Sequence, residues 1–271
     1  MKHSHVLQFR TVALLSLAVF IFSHVLMNTG TAQTTPDMTP DELIARVKET
    51  YAGLVSARGS ITRIIEYDDA EPERDEGTIT VLGPDKLRID FKGDMPRSII
   101  SDGEIFRIFF PGENRGYYTE LANCTAGERF ILGPGPYKGN ILDGMGPEFT
   151  YSIADNYMGN IILRADAIES GTFSYILIGI APETWTIRGV EYFDRNGDLV
   201  RQIRFLEFAS VDGSFFFPTQ AVTSQQVSNN ITVETIYITD ARLNVPIEEK
   251  LFDKPGDGAT EWNAHVLGRK R

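Results

Sequence analysis

The sequence predicts a mainly β chain (α+β) of antiparallel strands with one N-terminal helix. Three observations carry this. Residues 76–111 alternate apolar and polar side chains with a period of two, as half-buried strands require. Turn signals recur between such runs: Ser101-Asp102-Gly103, Asn196-Gly197 and Val211-Asp212-Gly213. One stretch alone, Thr39-Pro40-Asp41-Glu42, carries a complete helix start, a capping box with proline at the first helical position.

The elements follow in order. Lys2 and Arg10 precede an apolar run from Thr11 to Met27, and Asn28 to Ala32 is a small-residue tail. This predicts a secretory signal peptide, residues 1–32, cleaved near Ala32. The alternative is an uncleaved anchor, but the run is short against the ~20 residues of a membrane span. The product is expected to be a soluble exported domain, 33–271, of about 239 residues (271 − 32), with net charge −13 once Lys2 and Arg10 leave the full chain's −11. Leu43, Val47, Tyr51 and Leu54 mark one face of a helix running to about Val55. Ser60 to Tyr67 is a strand, and Asp68 to Glu76 an acidic, mobile loop tip. Leu87, Ile89 and Phe91 then alternate with Lys86, Arg88, Asp90 and Lys92; Phe106, Ile108 and Phe110 alternate with Ile105, Arg107 and Phe109. A further strand covers about Arg115 to Glu120.

Residues 121–147 are rich in glycine and proline and contain Phe130, Ile131, Leu132, Ile141, Leu142 and Met145. They predict a long connector with a short helix or two, serving as a lid or as a plain crossover over the sheet. Phe149 to Met158 is expected to be another short helix. Strands are expected at Ile161–Ala167, Phe173–Ile180, Trp185–Phe193, Leu199–Phe208, Ser214–Gln220 and Ile231–Thr239. Asp194-Arg195-Asn196-Gly197-Asp198 forms a hairpin turn, and the tail after Asp253 is expected to fray.

Composition excludes several functions. An acidic chain lacks the basic patches that phosphate backbones demand, so no nucleic-acid partner is expected. Any membrane-derived ligand must be held by its apolar part. Cys124 is the only cysteine, so no intramolecular disulfide forms. Past the signal segment the sole histidine is His265, in the tail, which denies the domain a Ser-His-Asp triad and the commonest metal ligand. No G-x-S-x-G, C-x-x-C, H-E-x-x-H or P-loop is present. Asp194-x-Asn196-Gly197-Asp198 partly matches a calcium loop but lacks the downstream glutamate at the right spacing. No catalytic residue, metal or cofactor is assigned. A carboxylate-pair enzyme acting on lipid or glycan is the class left over. Arg88, Arg107, Arg201 and Arg204 read as outward charges, though one turned inward would suit a headgroup or acyl carbonyl.

The segments GTITVLGPDKLRIDF and ISDGEIFRIFFP resemble the N-terminal half of the LolA-type periplasmic lipoprotein carriers and the wider lipoprotein-sorting-like superfamily. EYFDRNGDLVRQIRFLEF with DGSFFFPTQ resembles the later hairpins, and ARLNVPIEEKLFDKP the closing signature. The match runs from about Leu43 to Pro255. It implies a curved antiparallel half-barrel, an unclosed β-barrel, with an N-terminal helix and short lid helices packed on its concave side. It also implies a monomeric, non-enzymatic periplasmic carrier of lipoprotein acyl chains or lipid. Its partners would be an inner-membrane lipoprotein-releasing transporter and an outer-membrane acceptor. Typical carriers have an arginine just before the proline of the early strand turn, where it helps hold the lid; Gly83 stands there in this chain. A periplasmic regulator that binds an anti-sigma factor has the same fold, so a lipid-sensing or interaction protein of an envelope-stress pathway is the alternative. The residues expected to line an apolar trough are Leu87, Ile89, Phe91, Phe106, Ile108 and Phe110, with Met145 and Phe149 on the lid side.

Overall fold

The computed structural model describes residues 38–68, 70–124, 137, 141–143, 145–168, 173–211, 215–227, 230–253 and 261–264. The signal segment, most of the 121–147 connector and His265 lie outside the described residues.

Helix α1 is Pro40–Ala52. The Thr39 hydroxyl accepts the Glu42 N–H at 3.3 Å, and the Glu42 carboxylate accepts the Thr39 N–H at 2.8 Å. The predicted capping box is thus fully made. Leu43, Val47 and Tyr51 are buried. The helix stops at Ala52 rather than Val55, because the chain turns at Gly53 into the first strand. Leu54 consequently leaves the helical face and joins a different apolar cluster.

Among the described residues fourteen strands form one open sheet. The first group is β1 (Ser56–Tyr67), β2 (Ala70–Leu82), β3 (Lys86–Lys92), β4 (Arg97–Asp102), β5 (Ile105–Phe110) and β6 (Arg115–Glu120). The second is β7 (Phe149–Tyr157), β8 (Asn160–Ala167), β9 (Tyr175–Ile180), β10 (Ile187–Phe193), β11 (Leu199–Val211), β12 (Phe215–Val227) and β13 (Asn230–Leu243), with β14 (Glu261–Ala264) following. Each group is a meander in which successive strands pair antiparallel. β13 pairs antiparallel with β1 and joins the two meanders. The order is β14-β6-β5-β4-β3-β2-β1-β13-β12-β11-β10-β9-β8-β7, unclosed, with β7 and β14 at its edges. This is the expected half-barrel with an N-terminal helix.

Three expectations fail. The acidic run 70–76 is not a loop tip but the first half of β2, paired with β1 from Tyr67↔Ala70 to Thr62↔Glu76. Two of its carboxylates are met by cations: Arg63 and Arg97 both bond Asp75, and Arg74 bonds Glu76, while Glu73 accepts the Tyr67 hydroxyl. Residues 149–158 are not a helix. Phe149, Tyr151 and Ile153 alternate with Thr150 and Ser152 and pack on the core from an edge strand. The tail does not simply fray, since Glu261–Ala264 pairs in parallel with β6.

The apolar face of the sheet carries two clusters. One joins α1 (Leu43, Val47, Tyr51), Ile141, Leu142 and Met145 to Ile161, Leu163, Ile178, Val190, Tyr192, Ile203 and Phe205. The other joins Leu54 to Ile61, Ile79, Val81, Leu87, Ile89, Phe91, Phe217, Ile236 and Ile238. A fully buried Leu, Ile, Val or Phe contributes ~1.5–3 kcal/mol, so these clusters supply the stability that the lone Cys124 cannot supply by cross-linking. Cys124 is itself buried, its thiol donating to the Glu120 carbonyl at 3.6 Å.

Local devices hold the strand ends. Asn244, at φ 53°, accepts the Val55 N–H at 2.9 Å and donates to the Gly53 carbonyl at 2.8 Å, tying the end of β13 to the end of α1. At the β10–β11 turn the Asp194 carboxylate accepts the N–H of Asn196 and Asp198 at 2.8 and 3.0 Å, and Gly197 takes φ 82°. The partial calcium-loop pattern is therefore a hairpin turn. Gly83, at φ 61°, donates its N–H to the Val55 carbonyl at 2.8 Å; an arginine at this backbone angle would be strained.

Candidate functional site

Directly paired residues on adjacent strands share a face. Leu87, Ile89 and Phe91 pair with Ser101, Ile99 and Arg97 of β4. Ile99 and Ser101 pair in turn with Ile108 and Phe106 of β5. The six residues expected on β3 and β5 therefore do lie on one face of the sheet. They differ in access. Leu87, Ile89 and Phe91 are at most 3% exposed, Phe106 is 9% exposed, and Ile108 and Phe110 are half-buried. Phe110 meets Tyr117 of β6 edge to face at 6.3 Å. Met145 and Phe149 are elsewhere: Met145 is buried against the α1 cluster, and Phe149 begins the edge strand β7 beside it. The structure thus groups six of the eight together and places the other two against the α1 cluster, Phe149 at the start of β7 and Met145 in the segment before it.

The opposite face explains two of the strand arginines. Arg88 and Arg107 flank Ile100 there. Arg88 bonds Asp90 and donates to the Leu251 carbonyl at 2.8 Å, Arg107 bonds Asp102, and Phe252 is buried against this side. The Leu251-Phe252 pair of the closing segment is therefore a structural clamp.

Arg201 is not an outward charge. It shares parity with Ile203 and Phe205, and the cross-strand register runs Tyr67, Thr232, Gln225, Arg201, Tyr192 in one row. The next rows toward the middle of the sheet contain Ile65, Glu234, Thr223 and Ile203, then Arg63, Ile236, Ala221 and Phe205. The buried face thus changes from polar to apolar along the length of β1, β13, β12 and β11. At the polar end a cavity of about 200 Å³ is lined by Arg63, Ile65, Tyr67, Arg201, Thr223, Gln225, Thr232 and Glu234.

An ion network borders this cavity. Arg63 Nε bonds Glu234 at 2.5 Å and its Nη1 bonds Asp75 at 3.1 Å; Arg97 bonds Asp75 through both terminal nitrogens. Arg97 also lies over the Phe91 ring, 4.6 Å from its centroid. Burial works to raise the Asp75 pKa, but the hydrogen bonds and charges of Arg97 and Arg63 outweigh it and hold the carboxyl below the usual range. Half-buried Tyr137 lies in the same field, its phenol pushed up by burial and by the Glu234 charge. The Arg201 Nε and the Tyr192 hydroxyl are buried with no hydrogen-bond partner among the described residues. Burial pushes the Tyr192 phenol far up, and only the Arg201 charge opposes it. An unmet buried hydroxyl costs ~1–3 kcal/mol. This polar end was missed by sequence reasoning, although the Arg201-x-Ile203-x-Phe205 parity could have found it.

The fold has known counterparts. A LolA superfamily protein from Nitrosomonas europaea superposes with a TM-score of 0.56 at 13% identity, over 80% of this chain and 98% of its own. A DUF1329 family protein from Desulfovibrio piger superposes with a TM-score of 0.60 at 14% identity, over 79% and 95%. A domain described as an outer membrane lipoprotein-sorting protein domain, from Vibrio parahaemolyticus, gives 0.56 at 11% identity, over 79% and 97%. The chain therefore has a LolA-like fold. A family model described as "-like: Uncharacterized protein" matches residues 155–255, in the second meander and its closing segment. No curated protein matches the sequence.

Proposed function

We propose that this chain is a periplasmic, non-enzymatic carrier that binds acyl chains of lipoproteins or lipids against the apolar face of its sheet and ferries them from the inner to the outer membrane. One observation carries the reading: a single open sheet carries two apolar clusters on one face between β3 and β11, and at β5 that face is only partly covered. Leu87, Ile89 and Phe91 form its floor, and Phe106, Ile108 and Phe110 its approachable wall; Met145 and Phe149 lie beside α1. Each buried CH₂ contributes about 0.8 kcal/mol, so acyl chains are held without polar contacts. The 200 Å³ cavity is smaller than the ~300–1,000 Å³ of ordinary ligand pockets, so loading displaces side chains or covering elements from the face. Handover partners would be an inner-membrane transporter and an outer-membrane acceptor, and the carrier would act as a monomer.

The test is native mass spectrometry of the protein purified gently from the periplasm, followed by solvent extraction. A stoichiometric lipid or acylated peptide supports the carrier. An empty protein that also ignores added acyl probes overturns it in favour of a sensing or interaction role.

A further inference from the structure

The polar end of the sheet carries three arginines, Arg63, Arg97 and Arg201, and three carboxylates, Asp75, Glu234 and the exposed Glu73, whose Oε1 accepts the Tyr67 hydroxyl at 3.1 Å. The geometry shows which arginine no carboxylate engages. Asp75 is shared by Arg63 and Arg97, and Glu234 is engaged by Arg63 at 2.5 Å. Arg201 makes no ion pair among the described residues. Its Nε is buried and unpartnered among them, as is the hydroxyl of Tyr192, which is fully buried and directly opposite it in register. Two orphaned donors on adjacent strands, one of them charged, are an incomplete site. The cavity beside Arg201 also offers the side chains of Thr223, Gln225 and Thr232, and at ~30 Å³ per water its 200 Å³ would take about six waters or one small oxyanion. Toward the middle of the sheet the same face becomes Ile236, Ala221 and Phe205.

We propose that this cavity is an anion subsite, with Arg201 as its principal charge and the lining Thr223, Gln225 and Thr232 side chains as further donors, and that it seats the phosphate or carboxylate headgroup of an amphiphile whose chain lies along the apolar face. This rests on the carrier reading and adds to it the polarity and direction of the ligand. Glu234 does not repel the headgroup, because its charge is already met by Arg63.

The experiment compares dodecyl phosphate, laurate, dodecanol and inorganic phosphate, by calorimetry, on the exported protein and on its Arg201→Gln and Arg201→Lys variants. The site predicts that the two anionic amphiphiles bind about tenfold or more tighter than dodecanol, the scale of a charged hydrogen bond. The preference should vanish in Arg201→Gln, persist in part in Arg201→Lys, and leave dodecanol affinity unchanged in both. Equal affinity of all three amphiphiles for the unmodified protein overturns the subsite and leaves the carrier standing. Inorganic phosphate binding as tightly as dodecyl phosphate overturns the headgroup assignment in favour of a free anion. Failure of every amphiphile overturns the carrier reading and this inference together. Thermal melts of both variants check the fold; should Arg201→Gln unfold, Thr223→Val is the second probe, and its failure to weaken anion preference counts against the site.

Discussion

The two meanders share one sheet but not one cover. In the second, α1 lies across β7 and β12 with Leu43, Val47 and Tyr51 buried against the sheet, while Phe149, Tyr151 and Ile153 on the edge strand β7 stay half-buried. The Tyr51 hydroxyl even accepts the Ile187 N–H at 3.1 Å, fastening helix to strand. In the first, β3 is sealed, but Ile99, Ile108 and Phe110 on β4 and β5 remain half-buried. Equal apolarity with unequal cover teaches that α1 fastens one half, while the half that α1 does not cross keeps half-buried apolar side chains on two adjacent strands, β4 and β5.

That division can be broken experimentally. The largest effect is expected from a matched pair. Leu43→Ala, on the clamped side, should lose about 2–5 kcal/mol in denaturant titration. Ile108→Asp, on the open side, should keep most of its stability while losing acyl-probe binding. Were Ile108→Asp to unfold the chain, or to bind as before, the open half would be ordinary core. Phe91 is a poorer probe than Ile108, because at 3% exposure an aspartate there would be a buried charge.

A smaller effect tests the ion network between the halves. The folded Asp75 carboxyl has its pKa depressed below the unfolded value, so its stabilisation is present above the unfolded carboxylate range, near pH 4, and is lost as pH falls through the folded value. Asp75→Asn should cost ~1–3 kcal/mol at pH 7, and the gap from the parent should narrow in melts taken progressively below pH 4. A gap independent of pH would mean that Asp75 acts through shape rather than charge. The smallest effect concerns Tyr192. With its hydroxyl unmet, Tyr192→Phe should leave apo stability unchanged or raise it by up to about 1 kcal/mol, measured by thermal melting. A clear loss would reveal a partner for that hydroxyl.

Much of this was legible in the sequence because local rules governed it. The capping box, β3, and the Asp-Gly and Asn-Gly turns depend on neighbours within four or five residues. The failures involve partners far along the chain. Residues 70–76 look like a solvated acidic run until Arg63 and Arg97 are placed opposite Asp75. β14 depends on the register of β6, about 145 residues earlier by position. β7 is different: Phe149, Tyr151 and Ile153 do alternate, and the period of two was there to be read. Of the candidate site, parity on β3 and β5 puts six residues on one face of the sheet, which the strand register shows. Which of them are sealed depends on Leu54, Phe217 and Tyr137, brought in from distant parts of the chain, and no local pattern encodes that. Residue type reads the strand arginines as outward with one inward exception left open; the spacing of Arg201 from Ile203 and Phe205 singles it out as that exception.

The seam between β1 and β13 has a consequence for the order of events in folding. Ile61 pairs with Ile238, a separation of 177 positions, whereas every strand within a meander pairs with its immediate neighbour. Hairpins of each meander close cheaply and early, but the central seam must wait for the loop entropy of nearly the whole domain. α1 crosses the same divide, since it precedes β1 and rests on the second meander. A chain emerging from its N-terminus therefore holds the long, apolar edge of β1 unpaired until residues 230–243 are available. During that interval the protein is most open to aggregation, and most in need of a holding chaperone.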